Sequence, residues 1–210
     1  EDPDTIVKDI IVETGADKNP NSNGNFYFPV YDFAAYAMSQ QIYTSEELDG
    51  TYGKIYSVAF KLGNQRPAIT RKYEVYLTST ELDAFEGGYI ALTEDDKVFD
   101  GEVEIEGTMD SWYTINLDKP FDYTSGNLLV TIYDKTGEGC GNSGYHVYYR
   151  YPATGRSLYN QGSYEFAFRY GFNIRKPNPT WNVCRSSFER FIRNSCFRRC
   201  QTWQLLVRRS

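Results

Sequence analysis

The stretch that decides the fold is Trp112-Tyr113-Thr114-Ile115-Asn116-Leu117-Asp118-Lys119-Pro120-Phe121-Asp122-Tyr123-Thr124-Ser125-Gly126-Asn127-Leu128-Leu129-Val130-Thr131-Ile132-Tyr133-Asp134. Its opening run, residues 112–117, is rich in the aromatic and β-branched residues that suit a half-buried pleated surface. Pro120 has no N–H to give to a ladder, so a turn is expected at Asp118-Lys119-Pro120-Phe121. Gly126-Asn127 suits a tight turn. The second run, residues 128–133, is apolar enough to be a core strand.

Outward from this pair the pattern repeats. Residues 71–77 alternate, placing Tyr73, Val75 and Leu77 on one face. Residues 55–62 alternate too, with Val58, Phe60 and Leu62 on one side and Ser57, Ala59 and Lys61 on the other. Further strands are expected at 6–12, 27–33, 38–43, 103–105, 145–149 and 166–170, with a polar loop at 14–25. No long 3.6-residue periodicity interrupts them. Short helical turns are expected only at 45–48 and 79–85, opened by the capping-box patterns Thr44-x-x-Glu47 and Thr78-x-x-Glu81. Strands that never alternate with helices exclude a parallel α/β sheet. The fold class expected is all-β, an antiparallel β-sandwich of jelly-roll (galactose-binding-like) type.

The chain has 210 residues, of which 40% are hydrophobic and 24% charged, enough to bury a core. No apolar run approaches the roughly 18 residues of a membrane helix, so a spanning protein is not expected. The start, Glu1-Asp2-Pro3-Asp4, has no basic or apolar character, so an export signal is expected to have been removed or never to have existed. Charge is uneven. Before Thr180 there are 15 Lys and Arg against 27 Asp and Glu, a net charge of −12; from Thr180 onward, seven Arg and Glu189 give +6. That end also holds Cys184, Cys196 and Cys200 of the four cysteines, and none of the 19 tyrosines. Two pieces follow, a sandwich domain at 1–176 and a basic tail at 177–210.

The ordered segments Gln40-Gln41-Ile42-Tyr43-Thr44, Ile55-Tyr56-Ser57-Val58-Ala59-Phe60, Tyr73-Glu74-Val75-Tyr76-Leu77 and Val98-Phe99-Asp100-Gly101, followed by the stretch quoted first, carry a resemblance. The chain resembles the jelly-roll cleaved-adhesin, or haemagglutinin, modules of gingipain-type bacterial surface proteins over residues 6–174. The run at 23–33 looks more like the variant found at the surface of gut bacteria. The resemblance implies an exported, non-catalytic module, secreted or attached at the cell surface (outer membrane), within a larger multidomain protein. It also implies adhesion to a glycan or host protein, and structural calcium in several members.

Read on their own residues, four chemistries are weighed. Calcium prefers six to eight hard oxygen ligands, which loops around Asp32, Asp118, Asp134 and Glu138 offer. The metal-ligand expectation is Asp134, Asp32 and Glu138, Asp134 foremost because it ends a core strand before a Gly-rich loop; the plainer reading is turn residues satisfying their own backbone. Sugar stacking suits the tyrosines at 145–164, which are interleaved with His146, Arg150 and Arg156. A flat face with a hydroxyl stacks on a pyranose and bonds its rim. Tyr148, Tyr149, Tyr151, Arg156 and Tyr159 are the expected ligand contacts; neighbours Tyr148 and Tyr149 point to opposite faces, so both cannot be core. The plainer reading is cross-strand pairing on an outer face. Catalysis would need two carboxyls across a cleft, and Glu46-Glu47, Glu94-Asp95-Asp96 or Glu102 with Glu104 read instead as solvated, while His146 has no GxSxG serine beside it. No enzyme is expected. The acidic body repels phosphate, so no nucleic-acid partner is expected.

The tail admits three readings: a basic amphipathic helix at 186–207, a cysteine segment that binds metal or forms disulfides with Cys140, though its C-x11-C-x3-C spacing matches no zinc pattern, or an out-of-frame end. The functional expectation is an adhesion module for a glycan or host surface protein, with calcium structural if bound. Its alternative is an architectural spacer holding other domains apart.

Overall fold

The computed structural model describes residues 8–11, 29–65, 67–85, 87–141, 149–150, 155–163, 202–203 and 205–209. The described strands are β1 (Lys8–Ile11), β2 (Tyr36–Tyr43), β3 (Gly53–Lys61), β4 (Ile69–Thr80), β5 (Lys97–Ile105), β6 (Trp112–Tyr123), β7 (Asn127–Asp134), β8 (Tyr149–Arg150), β9 (Ser157–Gly162), β10 (Thr202–Trp203) and β11 (Leu205–Arg209). They form a five-stranded sheet in the order β5-β4-β7-β2-β9, a four-stranded sheet in the order β1-β11-β3-β6, and the pair β10-β8. Every pairing is antiparallel. The chain crosses from one large sheet to the other between β2 and β3, β3 and β4, β5 and β6, and β6 and β7. This is an all-β antiparallel sandwich.

The two large sheets face each other through the residues that alternate inward. Val58, Phe60, Tyr113, Ile115 and Tyr123 from one pack with Tyr43, Tyr73, Val75, Leu77, Leu128, Val130 and Ile132 from the other in one buried cluster. Each fully buried side chain of this kind contributes roughly 1.5–3 kcal/mol relative to exposure. Tyrosine serves this core: the Tyr43 hydroxyl donates to Gln41 Oε1 at 3.0 Å and the Tyr123 hydroxyl to the Gly126 carbonyl at 2.5 Å.

The outward face of the five-stranded sheet is covered too. Ile42, Leu129, Leu158 and Phe85 pack with Leu82, Tyr89, Ile90 and Leu92 from the connection after β4. Gln40 pins that connection by two bonds to Ile90, one through each end of its amide, both 2.8 Å.

Several expectations meet their outcome here. The alternating faces at 55–62 and 71–77 hold, but Ser57 and Ala59 on the other side of β3 are buried as well, at 2% and 0% exposure. The box at Thr44 forms: Thr44 N donates to Glu47 Oε2 at 3.0 Å and Glu47 N to Thr44 Oγ1 at 3.3 Å, closing a turn. No helical turn forms at 79–85, because β4 runs to Thr80 in register with Asn127 of β7. Residues 29–33 are bends and turns rather than strand. The turn expected at Pro120 is instead an irregularity inside β6. Ser57 faces Asn116 and Ile55 faces Phe121, so residues 117–120 oppose Tyr56 alone. The excursion reaches across to β5 of the other sheet, where Asp118 accepts from Asp100 N at 2.9 Å, and to the 3₁₀ turn before β5, where Lys119 donates to the Asp95 carbonyl at 2.5 Å. A proline without an N–H marks where the ladder breaks.

The end of the helix expected at 186–207 is strand where it is described. β11 lies between β1 and β3, with Val207 opposite Val58 and Ile10. A short apolar run such as Leu205-Leu206-Val207 fits either period, and two strand edges that need partners decide for the ladder. The rest of the tail, with Cys184, Cys196 and Cys200, lies outside the described residues, as do the strands expected at 166–170 and over most of 145–149.

Candidate functional site

Strand phase places two charges among inward-facing residues. Arg71 precedes Tyr73, Val75 and Leu77 in the same phase of β4, and Asp134 follows Leu128, Val130 and Ile132 in the same phase of β7. Asp134 is the register partner of Tyr73. The two charges therefore meet at one end of the sandwich, 2% and 0% exposed.

Arg71 is fully engaged there. Its Nε and Nη2 donate to Asp134 Oδ2 at 2.8 and 2.6 Å, Nη1 to the Glu138 carbonyl at 2.7 Å, and Nη2 also to the Ala34 carbonyl at 3.0 Å. Asp134 Oδ1 accepts from Thr136 N and Oγ1, at 3.0 and 2.5 Å. One guanidinium thus ties the segment before β2 and the loop after β7 to β4. Backbone bonds reinforce the junction, Gly137 N to the Ala35 carbonyl at 2.9 Å and Cys140 N to the Asp32 carbonyl at 3.0 Å. The approach is so close at Gly139 that a Cβ there would lie 2.1 Å from the Phe33 carbonyl oxygen, so only glycine fits.

The electrostatics follow from burial. Desolvation raises the Asp134 carboxyl above its ordinary value against the pull of Arg71 and the Thr136 bonds. Burial works to lower the Arg71 guanidinium, but Asp134 outweighs it and the net direction is up. Burial, with the Asp32 charge beside it, pushes the Cys140 thiol up to about 12, away from the thiolate form.

The three residues expected to hold calcium, Asp134, Asp32 and Glu138, do gather at this end, but around a cation the chain itself supplies. Asp134 does not fit a calcium ligand in this arrangement, since both oxygens are engaged and an ion there would have to displace Arg71. Glu138 offers Arg71 its carbonyl. Asp32 is buried, at 3% exposure, and its charge acts on Arg71, Tyr113 and Cys140. Among the described residues no group of three His, Cys, Asp or Glu is placed to hold a metal ion.

Of the expected sugar contacts, Arg156 is committed elsewhere. Its Nη1 and Nη2 donate to Glu47 Oε2 and Oε1 at 2.6 and 2.8 Å, with the side chains 7% and 9% exposed. This fork–fork pair ties the entry of β9 to the turn after β2. Glu47 is therefore not a solvated acid. Tyr159 is half-buried on β9, opposite Ser39, and packs against the core. Tyr149 is described only as a strand position, opposite Trp203; Tyr148 and Tyr151 lie outside the described residues. Glu102 lies 3.9 Å from Lys72 on an exposed stretch of β5, and Glu94 to Asp96 form one exposed 3₁₀ turn.

Sequence reasoning missed Arg71, although its signal was present: an arginine in the inward phase of one strand and an aspartate in the inward phase of another. It also missed the aromatics that do face solvent. Among the described residues the exposed large hydrophobics are Tyr52, Tyr56 and Met109, at 43%, 37% and 42%.

A comparison with protein-family models, curated proteins and solved structures returns no match. Among the described residues no helix is long and apolar enough to cross a membrane.

Proposed function

We propose that this chain is a non-catalytic adhesion module, secreted or displayed at a cell surface within a larger protein, that recognises a glycan or a host surface protein. One observation carries the reading: in a chain with 19 tyrosines, two of the three large hydrophobics left exposed among the described residues are tyrosine. An exposed amphipathic ring offers an apolar face and a hydroxyl to a ligand, which supports a recognition reading. The buried charges support the same reading, since Arg71 with Asp134 and Arg156 with Glu47 are bonded to each other and hold loops in place.

The test is a glycan array probed with the full chain, because β11 lies inside the four-stranded sheet. One run contains calcium and one contains chelator. Saturable binding is expected, and loss with chelator would add a calcium ion to the interaction. A blank array in both runs would overturn glycan recognition and leave a protein ligand or an architectural spacer, which a screen against host surface proteins separates.

A further inference from the structure

We infer that residues 117–120 are an edge guard: they occupy the outer backbone edge of β5 and keep it from adding a strand from a second copy of this chain. The inference is independent of what the module binds. Among the described residues β5 pairs with β4 alone and is an end strand of the five-stranded sheet, as β6 is of the four-stranded one. Phe99 to Ile105 pair with Val75 to Ile69 without a slip, and Val103 and Ile105 are held in the core. A regular strand anchored on one edge is a template for another strand on its free edge.

Asp100 shows which backbone groups face that edge. Its N–H donates to Asp118 Oδ2 at 2.9 Å, so it points away from β4. In an antiparallel ladder this direction repeats every second residue, which turns the N–H groups of Glu102 and Glu104 the same way. Two antiparallel copies of β5 paired about Glu102 would present the same groups to each other, the closed two-fold contact that identical chains favour.

The guard is built by leaving a ladder. β6 sets residues 117–120 against Tyr56 alone, where regular pairing would keep them in the four-stranded sheet. Three of these residues then close the β5 edge, each in its own way. The Asp118 carboxylate takes the place of the carbonyl that an incoming strand would offer to Asp100. Lys119 donates to the Asp95 carbonyl at 2.5 Å and ties the excursion to the 3₁₀ turn ahead of β5. Pro120 has no N–H, so the excursion cannot start a ladder of its own. A bulge, a lysine and a proline are the features with which β proteins blunt an exposed edge.

The test follows the mass of the full chain by sedimentation equilibrium from about 10 μM to about 1 mM. It is run in about 0.5 M salt, because the pairing sets Glu102 against its own copy and salt screens that repulsion. Two variants are compared with the parent. One deletes residues 118–120, which leaves Leu117 opposite Tyr56; the other combines Asp118→Ala, Lys119→Ala and Pro120→Thr. Each is checked for a cooperative melt, and amide hydrogen exchange is read at Glu102 and Glu104. Expected is a monomeric parent and, in each variant, a dimer held at least about tenfold more tightly than any association of the parent. The amides of Glu102 and Glu104 should then exchange more slowly at high concentration than at low. Should the deletion fail to fold, the triple variant, which keeps the chain length, decides. A folded variant that stays monomeric over the whole range overturns the guard. Association that leaves exchange at Glu102 and Glu104 unchanged also overturns it, since the contact then lies elsewhere. A parent that dimerises with those amides protected does the same.

Discussion

Two sets of ion pairs lie only a few residues apart, one on each face of the five-stranded sheet. On the inner face Arg71 and Asp134 are 2% and 0% exposed. On the outer face Lys135, the next residue, reaches Glu74 at 2.9 Å and also Asp100, while Lys97 lies 2.7 Å from Glu94 and 3.6 Å from Asp100. Those side chains are 15–80% exposed. The charges are the same; the solvent is not. Inside, each ion has lost its water and depends wholly on its partner. Outside, water and salt compete with every bond.

The sharpest way to break that contrast is to remove one buried partner. Asp134→Ala should cost about 3–5 kcal/mol in chemical denaturation, since it leaves the Arg71 guanidinium uncompensated. A cost below about 1 kcal/mol would mean that water reaches Arg71 and that the two faces are not different in kind. Replacing both partners by apolar residues, Arg71→Met with Asp134→Leu, should recover most of the loss, because desolvation then falls on neither.

Next in size is Arg156→Ala. It abandons Glu47 and frees the entry of β9, an edge strand, at about 2–3 kcal/mol. Faster hydrogen exchange in β9 than in β7 would be its local signature.

Lys135→Ala tests the other side of the comparison. It should cost less than about 1 kcal/mol and lose what effect it has as salt is raised. A larger, salt-independent cost would place this network with the buried pairs.

The smallest effect is the pH dependence, in which the two carboxylates have opposite signs. The hydrogen bond from Lys135 holds the Asp100 carboxyl below its ordinary 3.8. Its contribution is therefore present above 3.8 and lost as pH falls through the folded value. Burial puts Asp134 above 3.8, so ionising it in the folded state costs stability, and its contribution improves as pH falls toward 3.8. Melting temperature followed below neutral pH for Asp100→Asn and Asp134→Asn separates them. Asp100→Asn should flatten the acid-side loss below 3.8; if Asp134→Asn flattens it instead, the assignment of signs is reversed.

How far the sequence could lead is clearest at particular residues. The inward phase of Tyr73, Val75 and Leu77 and of Val58, Phe60 and Leu62 could be read directly, because alternation is a property of one strand. The Thr44–Glu47 box was legible for the same reason, its bonds spanning three residues. Glu47 as the partner of Arg156 was not, with 109 residues between them. That Ser57 and Ala59, on the other side of β3, are buried as well could not be read from it, since what lies over a sheet is supplied by distant chain. β9 was missed because Ser157-Leu158-Tyr159-Asn160-Gln161-Gly162 has little strand character of its own. It is a strand because β2 offers it an edge.

The sequence by itself determined that this is an antiparallel β protein, which residues of its central strands face inward, and that tyrosine is its dominant aromatic. Those properties follow from period and composition, which act over a few residues. Only the tertiary structure decided that Arg71 meets Asp134 where a metal ion was expected, that Arg156 is held by Glu47, that β11 lies between β1 and β3, and that Tyr52 and Tyr56 are among the exposed residues. Each of these depends on which segments meet across the sandwich. That is settled by edges that need partners and charges that lose their water, over separations that local pattern does not reach.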